Sequence, residues 1–279
     1  LRVFAAGLGV DLTSMALAMS ARSASGMLGP VLATIADSRG RKTGMLLGSS
    51  LFIFGMLLPL IWPTFTAFIL TLVLATVGYL VFIPSMQAYV GDRVHYHRRG
   101  LALGLTEISW SLSFILGIPL IQVLIQHWGW RGPLPILAVL GVGGWLAILW
   151  MTPADKAQRG ASVAWWKNFG SVLASPLALV GLAMGLLFSL SNELVNLIFS
   201  VWLEDAHQFS LSTLAQVAVG IGVMELIGEL LSTLLADRMG KVFSTALGLL
   251  LGCGAALGLG FLAFTPVTSL VCLLLFYLT

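Results

Sequence analysis

Long apolar runs alternate with short polar dividers along nearly the whole chain. A helix that crosses a bilayer needs about 20 predominantly apolar residues. The pattern predicts nine membrane helices, at approximately residues 12–36, 43–62, 65–90, 101–126, 132–151, 173–201, 212–236, 242–264 and 267–279. Between them lie short dividers that contain glycine and charged residues, which are typical of turns between adjacent helices. The pattern therefore predicts an all-α polytopic membrane protein.

One short motif occurs twice, 200 positions apart. The first copy reads ATIADSRGRK over residues 33–42, and the second reads TLLADRMGK over residues 233–241. Each copy places an aspartate at the end of an apolar run, followed by a glycine turn and basic residues before the next run. A repeat of this kind inside a membrane protein indicates a transporter built from two homologous halves.

The spacing of the repeat predicts the domain organisation. Six predicted helices separate the two copies, and one divider is longer and more charged than the others. We therefore predict an N-terminal bundle over residues 1–151, a cytoplasmic linker over 152–172 and a C-terminal bundle over 173–279. A six-helix period makes these helices 2–6 and 7–10 of a twelve-helix protein, so we expect one further helix before residue 1 and two after residue 279.

Composition and charge agree with a membrane location. Only 9% of the residues are charged, against about 25% in soluble domains, and the mean hydropathy is +1.01. The net charge of +3 does not indicate a nucleic-acid partner. If the repeated loops face the cytoplasm, eleven of the fourteen basic residues lie on that side, namely Arg39, Arg41, Lys42, Arg93, Arg98, Arg99, Lys156, Arg159, Lys167, Arg238 and Lys241. The positive-inside rule then predicts cytoplasmic basic loops.

The chain contains few signs of enzymatic chemistry. Cys253 and Cys272 lie in apolar runs without metal-ligand spacing, so we expect neither a metal site nor a cofactor. The sequence has no HExxH, no G-x-S-x-G and no phosphate-binding loop. These patterns favour a transporter over an enzyme and exclude an ATP-driven pump within this chain.

The repeated loops resemble the signature of the major facilitator superfamily, whose pattern after the second helix is G-x-x-x-D-R-x-G-R-R. The matching positions are Asp37, Gly40, Arg41, Lys42, Asp237, Arg238 and Gly240. The resemblance implies two pseudo-symmetric six-helix bundles, and it implies that these seven residues form a cytoplasmic gating motif. Among the subfamilies, the chain most resembles bacterial drug- or sugar-efflux members, which implies a location in the bacterial inner membrane.

Five ionisable residues fall inside predicted helices, where a charge near the bilayer centre costs about 2.5–3.5 kcal/mol on insertion scales. They are Arg22, Glu107, Glu193, Glu225 and Glu229. Glu225 and Glu229 are four residues apart and share one helix face, so their charges repel. We predict that Glu193, Glu225 or Glu229 couples proton movement to solute movement. Glu107 lies near the cytoplasmic end of its helix, where snorkelling or an arginine partner explains it equally well.

Polar residues on the same helices are candidates for the solute cavity. Asn196 and Glu193 belong to a polar stripe on an otherwise apolar helix, with Asn192 beside it. Arg22 could bind an anionic group of the solute or neutralise a carboxylate. We therefore predict Arg22, Asn192 and Asn196 as cavity residues. The alternative is that such side chains form hydrogen bonds that hold helices together.

These features together predict secondary active transport of a small organic solute by alternating access. Proton-coupled efflux, by a monomer in the lipid bilayer, is the first hypothesis. A proton symporter or a uniporter for uptake is the alternative within the same class. A transport-inactive receptor or scaffold is the alternative from another class, and it predicts the loss of charged residues from the helices, which the sequence does not show.

Overall fold

A computed structural model describes residues 2–32, 40–95, 99–153, 170, 173–262 and 264–279. Within its helices, the side chains of residues 99–101, 103–104, 107, 232–238 and 241 are not described. The described residues are almost entirely helical. In chain order the helices are α1 (Arg2–Leu8), α2 (Leu12–Ser25), α3 (Arg41–Ile61), α4 (Phe65–Arg93), α5 (Arg99–Leu112), α6 (Ile118–Trp128), α7 (Pro133–Met151), α8 (Pro176–His207), α9 (Leu211–Met239), α10 (Lys241–Phe261) and α11 (Pro266–Leu278).

Seven helical segments of the described chain are long and apolar enough to cross a membrane. An eighth candidate is the pair formed by α1 and the helix over residues 12–32, which is bent by 107°. Gly9 adopts a φ of +67° between its two parts, and the Asp11 side chain accepts a hydrogen bond from the Ser14 N–H to cap α2. The fold class predicted from the apolar runs is confirmed, with the additional helix α1 and its bend.

The chain divides into two compact units, and each is described by itself. The first contains Leu1–Arg99 and Leu124–Asn192, and the second contains Gly100–Val123 and Glu193–Thr279. The second unit thus includes most of α5, which the repeat assigns to the N-terminal bundle. The domain boundaries at residues 151 and 172 stay predictions.

The first unit is built around the antiparallel pair α3 and α4. A Cβ added at Gly48 would lie 2.5 Å from the carbonyl oxygen of Gly78, so the two backbones are in direct contact at that crossing. The Thr71 hydroxyl donates to the Gly55 carbonyl at 2.8 Å across the same pair. Helix α7 packs on the other side of α3, where the Trp145 indole donates to Ser50 Oγ at 3.0 Å.

The second unit is organised around α9, which contacts α10, α11 and a short π-helical segment, Ser113–Gly117, between α5 and α6. Its buried apolar cluster consists of Leu203, Val217, Ile221, Leu273 and Tyr277. A Cβ added at Gly222 of α9 would lie 2.7 Å from the Ser111 carbonyl oxygen. This close approach brings the polar side chains of α5 and α9 into contact.

Candidate functional site

The two repeated loops share one backbone conformation at their glycines. Gly40 has φ 95° and ψ 149°, and it immediately precedes α3. Gly240 has φ 85° and ψ 146°, and it separates α9 from α10. This region of backbone space is accessible essentially only to glycine. The glycine that both copies of the motif share is therefore a structural requirement of the turn.

Arg41 and Lys42 attach the first loop to the ends of two neighbouring helices. Arg41 Nε lies 3.3 Å from Asp92 Oδ2 at the end of α4, with the arginine side chain 17% exposed and the aspartate 59% exposed. Lys42 Nζ donates to the carbonyl oxygen of Leu149 in the last turn of α7 at 2.7 Å. A cation at this position interacts favourably with the carboxyl end of that helix. Both basic residues of the motif thus hold α3 at the loop end of the first unit.

The acids of the gating motif are not described structurally. Asp37 lies outside the described residues, and so do the side chains of Asp237 and Arg238. Asp92, which binds Arg41, was not among the residues predicted from the sequence. The gating role of the seven motif residues stays a prediction, to which Asp92 is added as a contact.

A polar cluster lies where α5 crosses α9 in the second unit. The Ser111 hydroxyl donates to Glu229 Oε1 at 3.1 Å. The Trp110 side chain lies near the Glu225 carboxylate. Glu225 Oε2 is buried and accepts no hydrogen bond from the described part of the chain. Both carboxylates predicted from their spacing therefore lie close to α5, and Glu229 accepts a hydrogen bond from it.

Asn196 reaches the same cluster through α11. The Tyr277 hydroxyl donates to Asn196 Oδ1 at 2.6 Å, and Tyr277 is close enough to Glu225 for the two groups to interact electrostatically. The ring of Phe199, one turn along α8 from Asn196, lies edge-to-face on Tyr277 with centroids 6.5 Å apart. The structure thus connects a predicted cavity residue to a predicted proton-coupling residue.

The other predicted site residues are described by their burial and by the unit to which they belong. The Glu193 side chain, near the middle of α8, is exposed and belongs to the second unit. Asn192 is half-buried and belongs to the first unit, as does Arg22 on α2, whose side chain is also half-buried. The Glu107 side chain is outside the described set. Within the second unit, the structure therefore groups Glu225, Glu229 and Asn196.

Three members of the cluster were not predicted from the sequence, namely Trp110, Ser111 and Tyr277. Serine in a helix usually bonds to its own helix backbone, and tryptophan and tyrosine in apolar runs are ordinary packing residues. A sequence signal was present only in the two glutamates, because a charge inside a membrane helix requires a partner. Searching other apolar helices for donors would have suggested these residues without selecting among them.

The cluster combines ionisable, hydrogen-bonding and aromatic groups. The glutamates can accept protons, and the Glu225 oxygen that accepts no hydrogen bond from the described residues is a site for a proton or for a donor group of a ligand. Trp110, beside the cluster, is 50% exposed in the described chain. Such an arrangement can bind a polar organic molecule and exchange a proton at neighbouring positions.

Comparison with known proteins gives a family match over the whole chain. The family model described as Major Facilitator Superfamily matches residues 1–279. The MFS-type transporter YwfA of Bacillus subtilis is 33% identical over 123 residues, which cover 43% of this chain and 30% of that protein. The inner membrane transport protein YdhP of Escherichia coli is 25% identical over 257 residues, which cover 90% of this chain and 64% of that protein. The chain thus spans less than two thirds of the length of these relatives.

A solved structure shows the same fold. The E. coli xylose transporter XylE, in a partially occluded inward open conformation, aligns with the whole chain at a TM-score of 0.67 and 16% identity. The alignment covers 74% of the XylE chain.

Proposed function

Because the chain belongs to the Major Facilitator Superfamily, we propose that it forms part of a secondary transporter that moves a small organic solute across a bilayer by alternating access. The fold shared with XylE and the membrane-spanning lengths of its helices support this proposal. We further propose that transport is efflux coupled to inward proton movement. The class of the solute, the identity of the coupling ion and the direction of transport are all parts of this proposal.

One observation supports proton coupling above the others. Glu225 and Glu229 lie within a membrane-spanning helix, and Glu225 has a buried oxygen that accepts no hydrogen bond from the described residues. A buried polar atom without a partner is costly, and it requires an explanation such as a functional ligand. A proton that binds and leaves during the transport cycle provides one.

In the proposed cycle, a state with a bound proton alternates with a state with bound solute. The Glu225–Glu229 pair accepts a proton when the solute leaves the cavity and releases it before the solute binds again. Asn196 and Tyr277 lie beside this pair and supply hydrogen-bonding groups for the solute. Arg22, Asn192 and Glu193 stay candidates for other parts of the cavity and the proton path.

Substitution of the glutamates in the full-length protein tests the coupling. Glu225→Gln or Glu229→Gln, reconstituted in liposomes, should lose solute accumulation driven by a pH gradient while downhill solute exchange continues. Glu204→Gln, at the end of α8, is the matched control and should accumulate solute like the wild type. If both variants in the pair still concentrate solute at the wild-type level, the proton is carried by another group, such as Glu193 or Glu107.

The direction of the gradient separates the alternatives within the class. An antiporter accumulates solute in liposomes whose lumen is acidic, because outward proton movement drives inward solute movement. A symporter accumulates solute when the external medium is acidic, and a uniporter accumulates it under neither condition. Accumulation only with an acidic exterior would replace the efflux proposal with uptake.

We also propose that the basic loops face the cytoplasm, in the orientation expected from the charge distribution. In a full-length background in which Cys253 and Cys272 are replaced, a cysteine at Thr152 should react only with permeant reagents in intact cells. A cysteine at Gln126 should react with impermeant reagents. The opposite labelling pattern would contradict this orientation.

A further inference from the structure

One polar residue of α5 contacts one of two acids that lie one turn apart on α9. Ser111 Oγ donates to Glu229 Oε1 at 3.1 Å, and the preceding residue, Trp110, lies near Glu225. Consecutive side chains on a helix point in directions about 100° apart, whereas residues four apart share one face. The Ser111 contact therefore requires that α5 turn its Ser111 face towards the acidic face of α9.

The neighbouring serines show that Ser111 does not make the hydrogen bond that is usual for a serine in a helix. Ser109 Oγ donates to the carbonyl of Thr106, and Ser113 Oγ donates to the carbonyl of Trp110, both within their own helical turn. These are the usual partners of a serine in a helix. Ser111 is fully buried and donates instead to a carboxylate on another helix.

The backbone around Ser111 is arranged to permit this contact. Gly222 of α9 lies against the Ser111 carbonyl, where a Cβ would approach to 2.7 Å. Immediately after this point, residues Ser113–Gly117 form a π-helical segment, which changes the rotational phase of the following helix. Such segments are frequent at functional sites. The close approach and the π segment support a specific role for Ser111.

We propose that Ser111 is a positioning residue for the carboxylate pair and acts through its hydrogen bond to Glu229. The hydroxyl donates to Glu229 Oε1 and fixes the side chain, so that the other oxygen is presented in a defined direction. This inference rests on the proposed function of the pair in proton coupling. It adds the residue that sets the geometry of Glu229 within that pair.

Transport measurements on the full-length protein give the first test. The probe is the solute that produces the largest lumenal pH change in a screen of small organic solutes with liposomes containing a pH dye. Ser111→Ala should reduce accumulation driven by a pH gradient about tenfold, as expected for loss of a hydrogen bond to a charged group. Downhill exchange should change less than twofold, because the solute path is intact.

Matched controls separate this role from general packing. Ser113→Ala removes a hydroxyl two residues away on the same helical segment, and Trp145→Phe removes an indole hydrogen bond to Ser50 in the other unit. Both should transport like the wild type. If Ser111→Ala lowers accumulation and downhill exchange equally, or leaves both unchanged, the positioning role is wrong.

A double-mutant cycle measured by Tm (the Tm cycle) tests the pairing of Ser111 with Glu229 without requiring transport. Ser111→Ala should lower the apparent Tm of the purified full-length protein by about 2–4 °C, which is the shift for a typical hydrogen bond in a protein of this size. In a Glu229→Leu background it should have no such effect, because the acceptor is gone. In a Glu225→Leu background the loss should persist. Equal losses in all three backgrounds would overturn the assignment of Ser111 to Glu229.

The two tests distinguish the inference from the function on which it rests. If the Gln variants of Glu225 and Glu229 accumulate solute normally but the Tm cycle is non-additive, proton coupling through the pair is wrong and the contact is structural. If the Gln variants lose accumulation but the cycle is additive and Ser111→Ala transports normally, the coupling stands and the positioning role fails.

Discussion

The glycine of the second repeated loop gives a prediction whose magnitude follows from the backbone alone. Gly240 has φ 85° and ψ 146°, and among the described residues nothing lies within 4 Å of a Cβ placed there. Gly240→Ala therefore introduces no clash with that part of the chain, and its cost is conformational. A residue with a Cβ in this region of backbone space costs about 1–3 kcal/mol.

A matched variant in the next helix should behave in the opposite way. Gly254 lies within α10, has helical geometry and also has open space around a Cβ. Gly254→Ala should stabilise the protein by about 0.5–1 kcal/mol, because alanine is the better helix former. The two alanine variants should therefore differ by about 1.5–4 kcal/mol in the free energy of unfolding.

Unfolding of the full-length protein in detergent measures this difference. With about 2–4 °C in Tm for each kcal/mol, Gly240→Ala should lower the Tm and Gly254→Ala should raise it slightly. Gly40→Ala should resemble Gly240→Ala, because Gly40 has φ 95° and ψ 149°. If Gly240→Ala is as stable as the wild type, the turn tolerates a side chain, and the argument that the repeat requires glycine there is refuted.

Two further predictions concern the first unit. Gly78→Ala should destabilise the protein by about 1–3 kcal/mol, because its Cβ would lie 2.6 Å from the Gly48 carbonyl oxygen. Gly143→Ala in α7 is the control and should not destabilise the protein in the same unfolding assay, because no described atom lies within 4 Å of a Cβ placed there. Asp92→Asn should cost at most about 1 kcal/mol, since the ion pair with Arg41 is largely exposed on the aspartate side. That small cost should shrink further in high salt, and a salt-independent loss would contradict this view of the pair.

The positions of the helices could largely be predicted from the sequence, because the bilayer requires long apolar runs with short dividers. The predicted run 43–62 corresponds to Arg41–Ile61, and the run 132–151 corresponds to Pro133–Met151. Helix α1 was missed since it has only seven residues, too few to register as a membrane run. Its bend depends on Gly9, whose turn is not evident from hydropathy.

The candidate site was predictable only in part. Glu225 and Glu229 were found because a charge in a membrane helix is costly and thus conspicuous. Ser111 and Tyr277 were not found, because their partners depend on how helices distant in sequence are rotated against each other. The order of apolar and polar residues along one helix does not determine how that helix is rotated against a distant one. The same reason explains why Asp92 was not identified as the partner of Arg41.

We propose that the Glu225–Glu229 pair couples proton movement to solute movement. The lumenal pH of liposomes containing the full-length protein tests this most directly, when it is recorded while solute is added outside without an imposed gradient. Solute uptake by the wild type should be accompanied by a change in lumenal pH, and uptake by Glu225→Gln should occur without one. Solute uptake by the wild type with no movement of protons would contradict proton coupling.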